Sequence, residues 1–178
     1  MDVLVGAVGV LCCALVYLPV AVAIRLDSHG PVVFGQERIG KEQQTFQMYK
    51  FRTMFATNSG NKYKPVDNDE RVTRVGRFLR RWSLDELPQF WNVLVGDMSL
   101  VGPRPELAFF VKDYQEWQFD RFLVKPGLTG WWQIHGRKQP MHAHIDEDIY
   151  YVTHCSFWLD LQILLRTFQA VVRGSGAR

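Results

Sequence analysis

Residues 3–24 carry no charged side chain, and no other stretch restricts the fold as strongly. At about 1.5 Å per residue, a helix of this length just crosses a hydrocarbon core of roughly 30 Å. The run is apolar on all sides, which argues against an ordinary core helix. It does not read as a cleavable signal peptide, because no basic segment precedes it and Tyr17-Leu18-Pro19 stands where small residues are needed. Pro19 removes a backbone donor and crowds the preceding turn, so it predicts a kink or break two-thirds of the way along. Two geometries remain open: a straight single span, or a re-entrant helix that bends at Pro19 and returns to the face it entered. Arg25 follows at once, and Lys and Arg are frequent beyond it, which places the remainder in the cytoplasm. The expected division is a membrane-inserted segment at 1–26 and a cytosolic domain at 27–178.

The 178 residues favour one such domain, and 47% hydrophobic with 13% aromatic content supports a packed core. A net charge of +3 gives no general signal for nucleic acid. Cys12 and Cys13 lie in the apolar run and Cys155 stands alone, which makes no disulfide framework and fits a reducing compartment. The expected fold is mixed α/β (α+β): a small antiparallel sheet element surrounded by amphipathic helices lying along the membrane surface. Residues 32–34 and 45–51 read as its paired strands, joined by a polar connection over 35–41. Residues 56–70 have no hydrophobic period and read as a long loop.

Arg71, Arg74, Arg77 and Arg80 recur every third residue among Val72, Val75, Phe78 and Leu79. This is a basic stripe beside an apolar helix face. A solvated face, a nucleic-acid surface and a helix at an anionic membrane all fit; the upstream anchor favours membrane lipids. Next come Ser83-Leu84-Asp85-Glu86. Ser83 and Glu86 have capping-box spacing, so both acids can serve simply as helix-start residues. The same pair, beside fixed cations, also suits chemistry on a diphosphate: carboxylates that hold Mg²⁺ or attack phosphorus, and cations that take up phosphoryl charge. Lys50 and Arg52 bracket Phe51 at a strand end. Arg104, between Pro103 and Pro105, has a nearly fixed backbone direction, which suits a guanidinium that must meet a phosphate in one geometry and fits a plain rigid turn as well. Residues 90–95 read as a short helix stopped at Gly96-Asp97, residues 106–122 as a further helix, and 125–134 as a turn entering a strand or loop. Residues 157–172 place Phe157, Leu161, Leu164, Leu165, Phe168, Val171 and Val172 on one helical face, directed at a core or a membrane. His135, His142, His144 and His154 have no spacing that supports a zinc site.

Four segments in order, Tyr49-Lys50-Phe51-Arg52-Thr53-Met54, Ser83-Leu84-Asp85-Glu86-Leu87-Pro88-Gln89, residues 99–105 and Lys125-Pro126-Gly127-Leu128-Thr129-Gly130-Trp131, resemble the bacterial sugar transferases. These are monotopic polyprenyl-phosphate phosphoglycosyl transferases, and the resemblance covers nearly the whole chain. It implies an enzyme that moves a sugar-1-phosphate from a UDP-sugar to polyprenyl (undecaprenyl) phosphate and releases UMP, the first step of surface-glycan assembly. The resemblance assigns Asp85 as a nucleophile that forms a phosphosugar-aspartyl intermediate, and Glu86 as its partner in Mg²⁺ binding or proton handling. Arg80 and Arg104 are implied phosphate ligands, with Lys50 or Arg52 near the diphosphate. It also implies a re-entrant anchor and a place on the cytoplasmic face of the bacterial inner membrane. The chain departs from the family in having Leu18-Pro19 where a Ser-Pro pair is usual. It also has Asp2 and no basic lead-in, as a trimmed catalytic half of a larger membrane protein would. The rival readings are a membrane-binding scaffold without catalysis and a membrane-bound diphosphate hydrolase.

Overall fold

The computed structural model of the chain describes residues 1–55, 69–135 and 144–174. Helix α1 (Asp2–Asp27) continues through Pro19 as one helix. Both the Pro19 ring and Leu15, the residue whose carbonyl it crowds, lie on the exposed side. The proline therefore disturbs the outer wall of the helix and not its packed face. That packed face carries Gly6, Gly9 and Ile24, all buried. Opposite it, Leu4, Val8, Leu11, Leu15, Leu18, Val22 and Leu26 form an exposed apolar stripe along the whole helix. With one wall against protein and the other wholly apolar, α1 is suited to a membrane.

The expected hairpin forms, and it is longer than the sequence suggested. β1 (Val33–Ile39) pairs antiparallel with β2 (Thr45–Phe51), Val33 opposite Phe51 and Ile39 opposite Thr45. The polar residues Gln36, Glu37 and Arg38, read as connection, are strand. They remain extended because each has a cross-strand partner, and because the Arg38 Nη1 donates to the Pro105 carbonyl at 3.1 Å. The turn shrinks to Lys41–Gln43 and flanking residues, with Glu42 and Gln43 at positive φ.

β2 divides the interior in two. Met48 packs with Val93, Met98, Leu100, Val101, Tyr151 and Ile163, whereas Phe51 packs with Ile24, Val32 and Leu79. The other edge of β2 has no strand beside it among the described residues. Instead Asn92, fully buried on α3 (Gln89–Val95), accepts from the Tyr49 N–H at 3.2 Å and donates to the Gln47 carbonyl at 2.7 Å. One amide thus replaces a rung of the ladder and fixes α3 to the strand. Gly96, at φ 91°, ends α3 where the sequence placed its stop.

A second sheet was not foreseen. β3 (Ser99–Val101) and β4 (Gly127–Thr129) pair in parallel. The helix expected over 106–122 also proves shorter. Glu106 bridges to Ile39, α4 covers only Ala108–Val111, and a 3₁₀ segment spans Glu116–Leu123. Tyr114 and Phe122 pack against a buried Arg121, which an amphipathic α-helix would not bring inward, whereas Phe109 and Trp117 are exposed. α2 (Arg74–Arg81) begins after Arg71, capped by Thr73, whose Oγ1 accepts from the Gly76 N–H at 2.9 Å. Asp27, at the end of α1, accepts from the Val75 N–H at 2.8 Å and ties the two helices together.

α5 (Trp131–His135), α6 (Ile145–His154) and α7 (Phe157–Val172) complete the described fold. The apolar face read on α7 points largely outward: Phe157, Leu161, Leu165, Phe168 and Val172 are exposed, joined by Trp158, while Ile163 is buried. A second apolar surface therefore accompanies the stripe on α1. His135 meets Arg166 and His154 stacks on Tyr150; His142 and the loop over 56–68 lie outside the described residues. Gly6 and Gly9 allow α3 to approach α1 closely, and a Cβ at Gly9 would overlap the Phe90 ring. Replacing Gly9 with Leu is expected to lower stability by about 1–3 kcal/mol, measured by thermal unfolding in detergent, with Val8→Leu on the outer stripe as a neutral control.

Candidate active site

The two acids are presented by a strained turn. α2 ends at Arg81, and Ser83 then adopts the left-handed conformation (φ 54°, ψ 22°) before the 3₁₀ turn Leu84–Glu86. The Ser83 side chain makes no cap hydrogen bond, so the capping-box reading of Ser83 and Glu86 is wrong. The Glu86 carboxylate faces the other way. Its Oε1 accepts from Lys50 Nζ at 2.8 Å and from Arg104 Nη2 at 3.3 Å. A strand end, a turn and the proline-bracketed loop thus meet on one oxygen.

Arg80 comes to the same cluster from the last turn of α2. Its Nε donates to Thr53 Oγ1 at 2.9 Å, and its charge acts on Asp85 and Glu86. Arg52 does not join them. It is buried beneath the end of α1 and donates to the carbonyls of Ser28 and His29, each at 2.7 Å. Alternation alone would put residues 50 and 52 on one face; they part because β2 ends at Phe51, and Arg52, one residue beyond it, turns to the Ser28 and His29 carbonyls. Of the sequence-selected residues, Asp85, Glu86, Lys50, Arg80 and Arg104 gather; Arg52 and Pro19 stand apart.

Asp85 is only 8% exposed, and no hydrogen bond to its carboxylate is found among the described residues. Burial raises its pKa, the neighbouring Glu86 charge adds to that, and Lys50, Arg80 and Arg104 oppose it. Burial acts the same way on Glu86, but Lys50 and Arg104 outweigh it and hold its pKa near 2. Burial pushes the Lys50 ammonium down, with Glu86 working against it. One acid is therefore held as an anion by two ion pairs, and the other is a largely desolvated carboxylate whose ionisation burial opposes.

The sequence pattern described as Bacterial sugar transferase matches residues 1–174. The chain belongs to this family. It is 41% identical to the UDP-N-acetylgalactosamine-undecaprenyl-phosphate N-acetylgalactosaminephosphotransferase of Aeromonas hydrophila, over 100% of this chain and 44% of that protein. It is 42% identical to the UDP-glucose:undecaprenyl-phosphate glucose-1-phosphate transferase of Escherichia coli, over 89% of this chain and 35% of that one. A Bacillus subtilis relative, the uncharacterized sugar transferase EpsL, is 43% identical over 97% of this chain and 86% of its own length. The chain spans less than half the length of the Aeromonas and Escherichia proteins.

Residues missed in the sequence also shape the site. Thr53 holds Arg80, Asn92 holds β2, and Arg121 lies buried behind Arg104 with Glu106 and Asp148. Asp148 follows Asp146 and Glu147 in the sequence, and nothing in that run indicates a buried partner 27 residues away. Ser83 gives a direct test of the turn. Ser83→Gly is expected to fold normally because glycine accepts this backbone, whereas Ser83→Val, β-branched at positive φ, should be less stable than the glycine variant by about 1–2 kcal/mol. Chemical denaturation of the two variants side by side measures the difference.

Proposed function

We propose that the chain is the catalytic part of a phosphoglycosyl transferase, which moves a sugar-1-phosphate from a UDP-sugar to undecaprenyl phosphate. The observation that carries this reading is Asp85: nearly buried, acted on by Lys50, Arg80 and Arg104, and next to a Glu86 whose charge is already paired. The names of the Aeromonas and Escherichia relatives support the donor and acceptor classes. In the first step an Asp85 carboxylate oxygen attacks the sugar-linked phosphorus, the bond to the bridging oxygen breaks, and UMP leaves. In the second, the phosphate oxygen of undecaprenyl phosphate attacks the same phosphorus and Asp85 is released. Lys50, Arg80 and Arg104 take up charge on the phosphoryl oxygens as each step proceeds. Splitting the exchange lets two bulky substrates react at one centre in turn. The product would begin the assembly of a surface glycan such as an exopolysaccharide, capsule or O-antigen.

The donor set suits Mg²⁺, which prefers carboxylate oxygens shared with substrate phosphates to a cage made wholly of protein. No group of three or more metal-binding side chains occurs among the described residues, and both ion pairs of Glu86 fall on Oε1. Asp85 and Glu86 would hold the ion, which would neutralise charge on the donor diphosphate.

The packing of α1 supports a monotopic arrangement at the cytoplasmic face of the inner membrane. Near its start Gly6 lies against Leu94, near its end Ile24 packs with Phe51 and Leu79, and the Asp2 charge reaches Tyr151 and Asp160. A helix crossing the bilayer would carry its first turns away from a domain on the far side. The outward stripes of α1 and α7 are the surfaces that would meet lipid, with α1 unbroken at Pro19 lying along that surface. The boundary between 1–26 and 27–178 is then one of environment more than of folding.

Intact-protein mass spectrometry after exposure to a panel of UDP-sugars with Mg²⁺, acceptor withheld, tests the chemistry. One phosphosugar should add to the wild type and none to Asp85→Asn, and Asp85→Asn should have no turnover. Near-normal turnover in that variant would remove Asp85 from the mechanism. Without lipid phosphate the transferase should release at most one UMP per enzyme; continued release beyond that would favour a hydrolase, and no release with any donor a scaffold. The pH dependence follows from the electrostatics. Asp85 must be ionised to attack, so the rate should fall as pH drops through its raised pKa. Glu86 keeps that pKa high, so in any residual activity of Glu86→Gln the acid limb of kcat/KM should move to lower pH.

A further inference from the structure

Arg121 is 2% exposed and lies with two equally buried carboxylates, Glu106 and Asp148. Its Nη1 donates to Tyr114 Oη at 2.6 Å and to Glu106 Oε2 at 3.1 Å. Its Nη2 donates to Asp148 Oδ2 at 2.6 Å and to the Arg104 backbone carbonyl at 2.8 Å. All four N–H groups on the two terminal nitrogens are therefore engaged. A cluster of this kind is a poor source of stability, because removing each ion from water costs several kcal/mol in practice, and similar apolar residues often serve as well.

What the guanidinium supplies is a backbone contact. The segment 103–106 contains two prolines and has few N–H groups to anchor it, so it is held through its carbonyls. Pro103 accepts from the Gly127 N–H at 2.8 Å, Arg104 from Arg121, Pro105 from Arg38, and Glu106 from the Ile39 N–H at 2.8 Å. The Arg104 contact depends on a side chain that is itself held by charges on two other segments. Glu106 is tied further by the Leu107 N–H at 2.9 Å and Tyr114 Oη at 3.0 Å. Asp148 lies on α6, so the contact joins that helix to the residue whose side chain reaches Glu86.

We infer that Arg121, oriented by Asp148, is a positioning residue that fixes the Arg104 backbone and so aims the Arg104 guanidinium at the phosphoryl group. This rests on the proposed role of Arg104 as a phosphate ligand. Lysine cannot take the place of Arg121, because one ammonium nitrogen cannot span four acceptors in a planar fork. Asp148→Asn keeps an acceptor oxygen but loses the charge that draws Nη2 into place.

The test is a double-mutant cycle on the full chain in detergent or nanodiscs, with wild type, Arg104→Ala, Asp148→Asn and the double variant. Turnover of the accepted UDP-sugar, the Kd for UDP and the thermal midpoint are measured for each. Asp148→Asn should lower kcat/KM roughly 10- to 100-fold, the range expected when a reacting-site group is misplaced by a distant change. The double variant should be no worse than Arg104→Ala within about twofold, although Asp148→Asn lowers the midpoint in both backgrounds. Arg121→Lys should lose kcat/KM as Asp148→Asn does. Tyr114→Phe removes one Nη1 partner and leaves both Nη2 contacts, so it should lower the midpoint while keeping kcat/KM within about twofold. Losses that multiply in the double variant, or wild-type kcat/KM in Asp148→Asn, would overturn the inference. If Asp148→Asn does not accumulate, Asp148→Glu, which keeps the charge at a different reach, replaces it in the cycle. Should the wild type turn over no UDP-sugar, the transferase reading fails, and the UDP affinities decide the positioning role. Arg104→Ala must then weaken UDP binding in the wild-type background and not in Asp148→Asn, and any other pattern, including no UDP binding, rejects it.

Discussion

One carboxylate oxygen, Glu86 Oε1, holds the candidate site together. The cations that meet on it come from a strand end and a proline-bracketed loop, 36 and 18 residues away along the chain. Without that anion, Lys50 and Arg104 would face each other as like charges in a poorly solvated space. With it, they remain close together, each paired to the same oxygen. The same pairing explains why adjacent acids behave differently. Glu86 is ionised by its partners, whereas Asp85, a residue earlier on the same turn, keeps a carboxylate that burial has made harder to ionise. Adjacency and unequal surroundings thus give two carboxylates with opposite tendencies to ionise.

Around this point the chain is built in two half-cores on either side of β2, and α1 belongs to one of them. Ile24 shares its contacts with Phe51, Leu79 and Val32, while Asp27 ties α1 to the start of α2. The helix suited to the membrane is thus part of the same packing that delivers Arg80. Docking at a lipid surface and assembly of the cation cluster depend on shared contacts.

Much of this was legible in the sequence, and the limits have physical causes. The apolar run, the hairpin, the stop at Gly96 and the gathering of Asp85, Glu86, Lys50, Arg80 and Arg104 all followed from local pattern or family resemblance. Local pattern failed where a distant partner decided the conformation. Gln36 to Arg38 looked like a turn because their polarity is answered across the strand and by the Pro105 carbonyl. Residues 106–122 looked helical because the spacing of aromatic bulk does not reveal that Tyr114 and Phe122 pack on a buried Arg121 while Phe109 and Trp117 stay exposed. Arg52 looked like a site cation because spacing does not reveal that the Ser28 and His29 carbonyls hold it. Ser83 and Glu86 matched a capping box, which a left-handed Ser83 makes impossible. The parallel pairing of β3 with β4 left no trace in three-residue strands.

The manner in which α1 is packed limits how the protein can be handled in the laboratory. Cutting the chain after Asp27 would not release a water-soluble remainder. It would open a trough floored by Phe90, Leu94, Leu79 and Phe51, remove the Asp27 cap from α2, and leave the apolar face of α7 bare. Such a fragment would self-associate through the vacated trough before any substrate reached it. Residues 28–174 and α1 must therefore be purified as one amphiphile, and detergent is needed as a stand-in for lipid around the folded protein as well as to extract it.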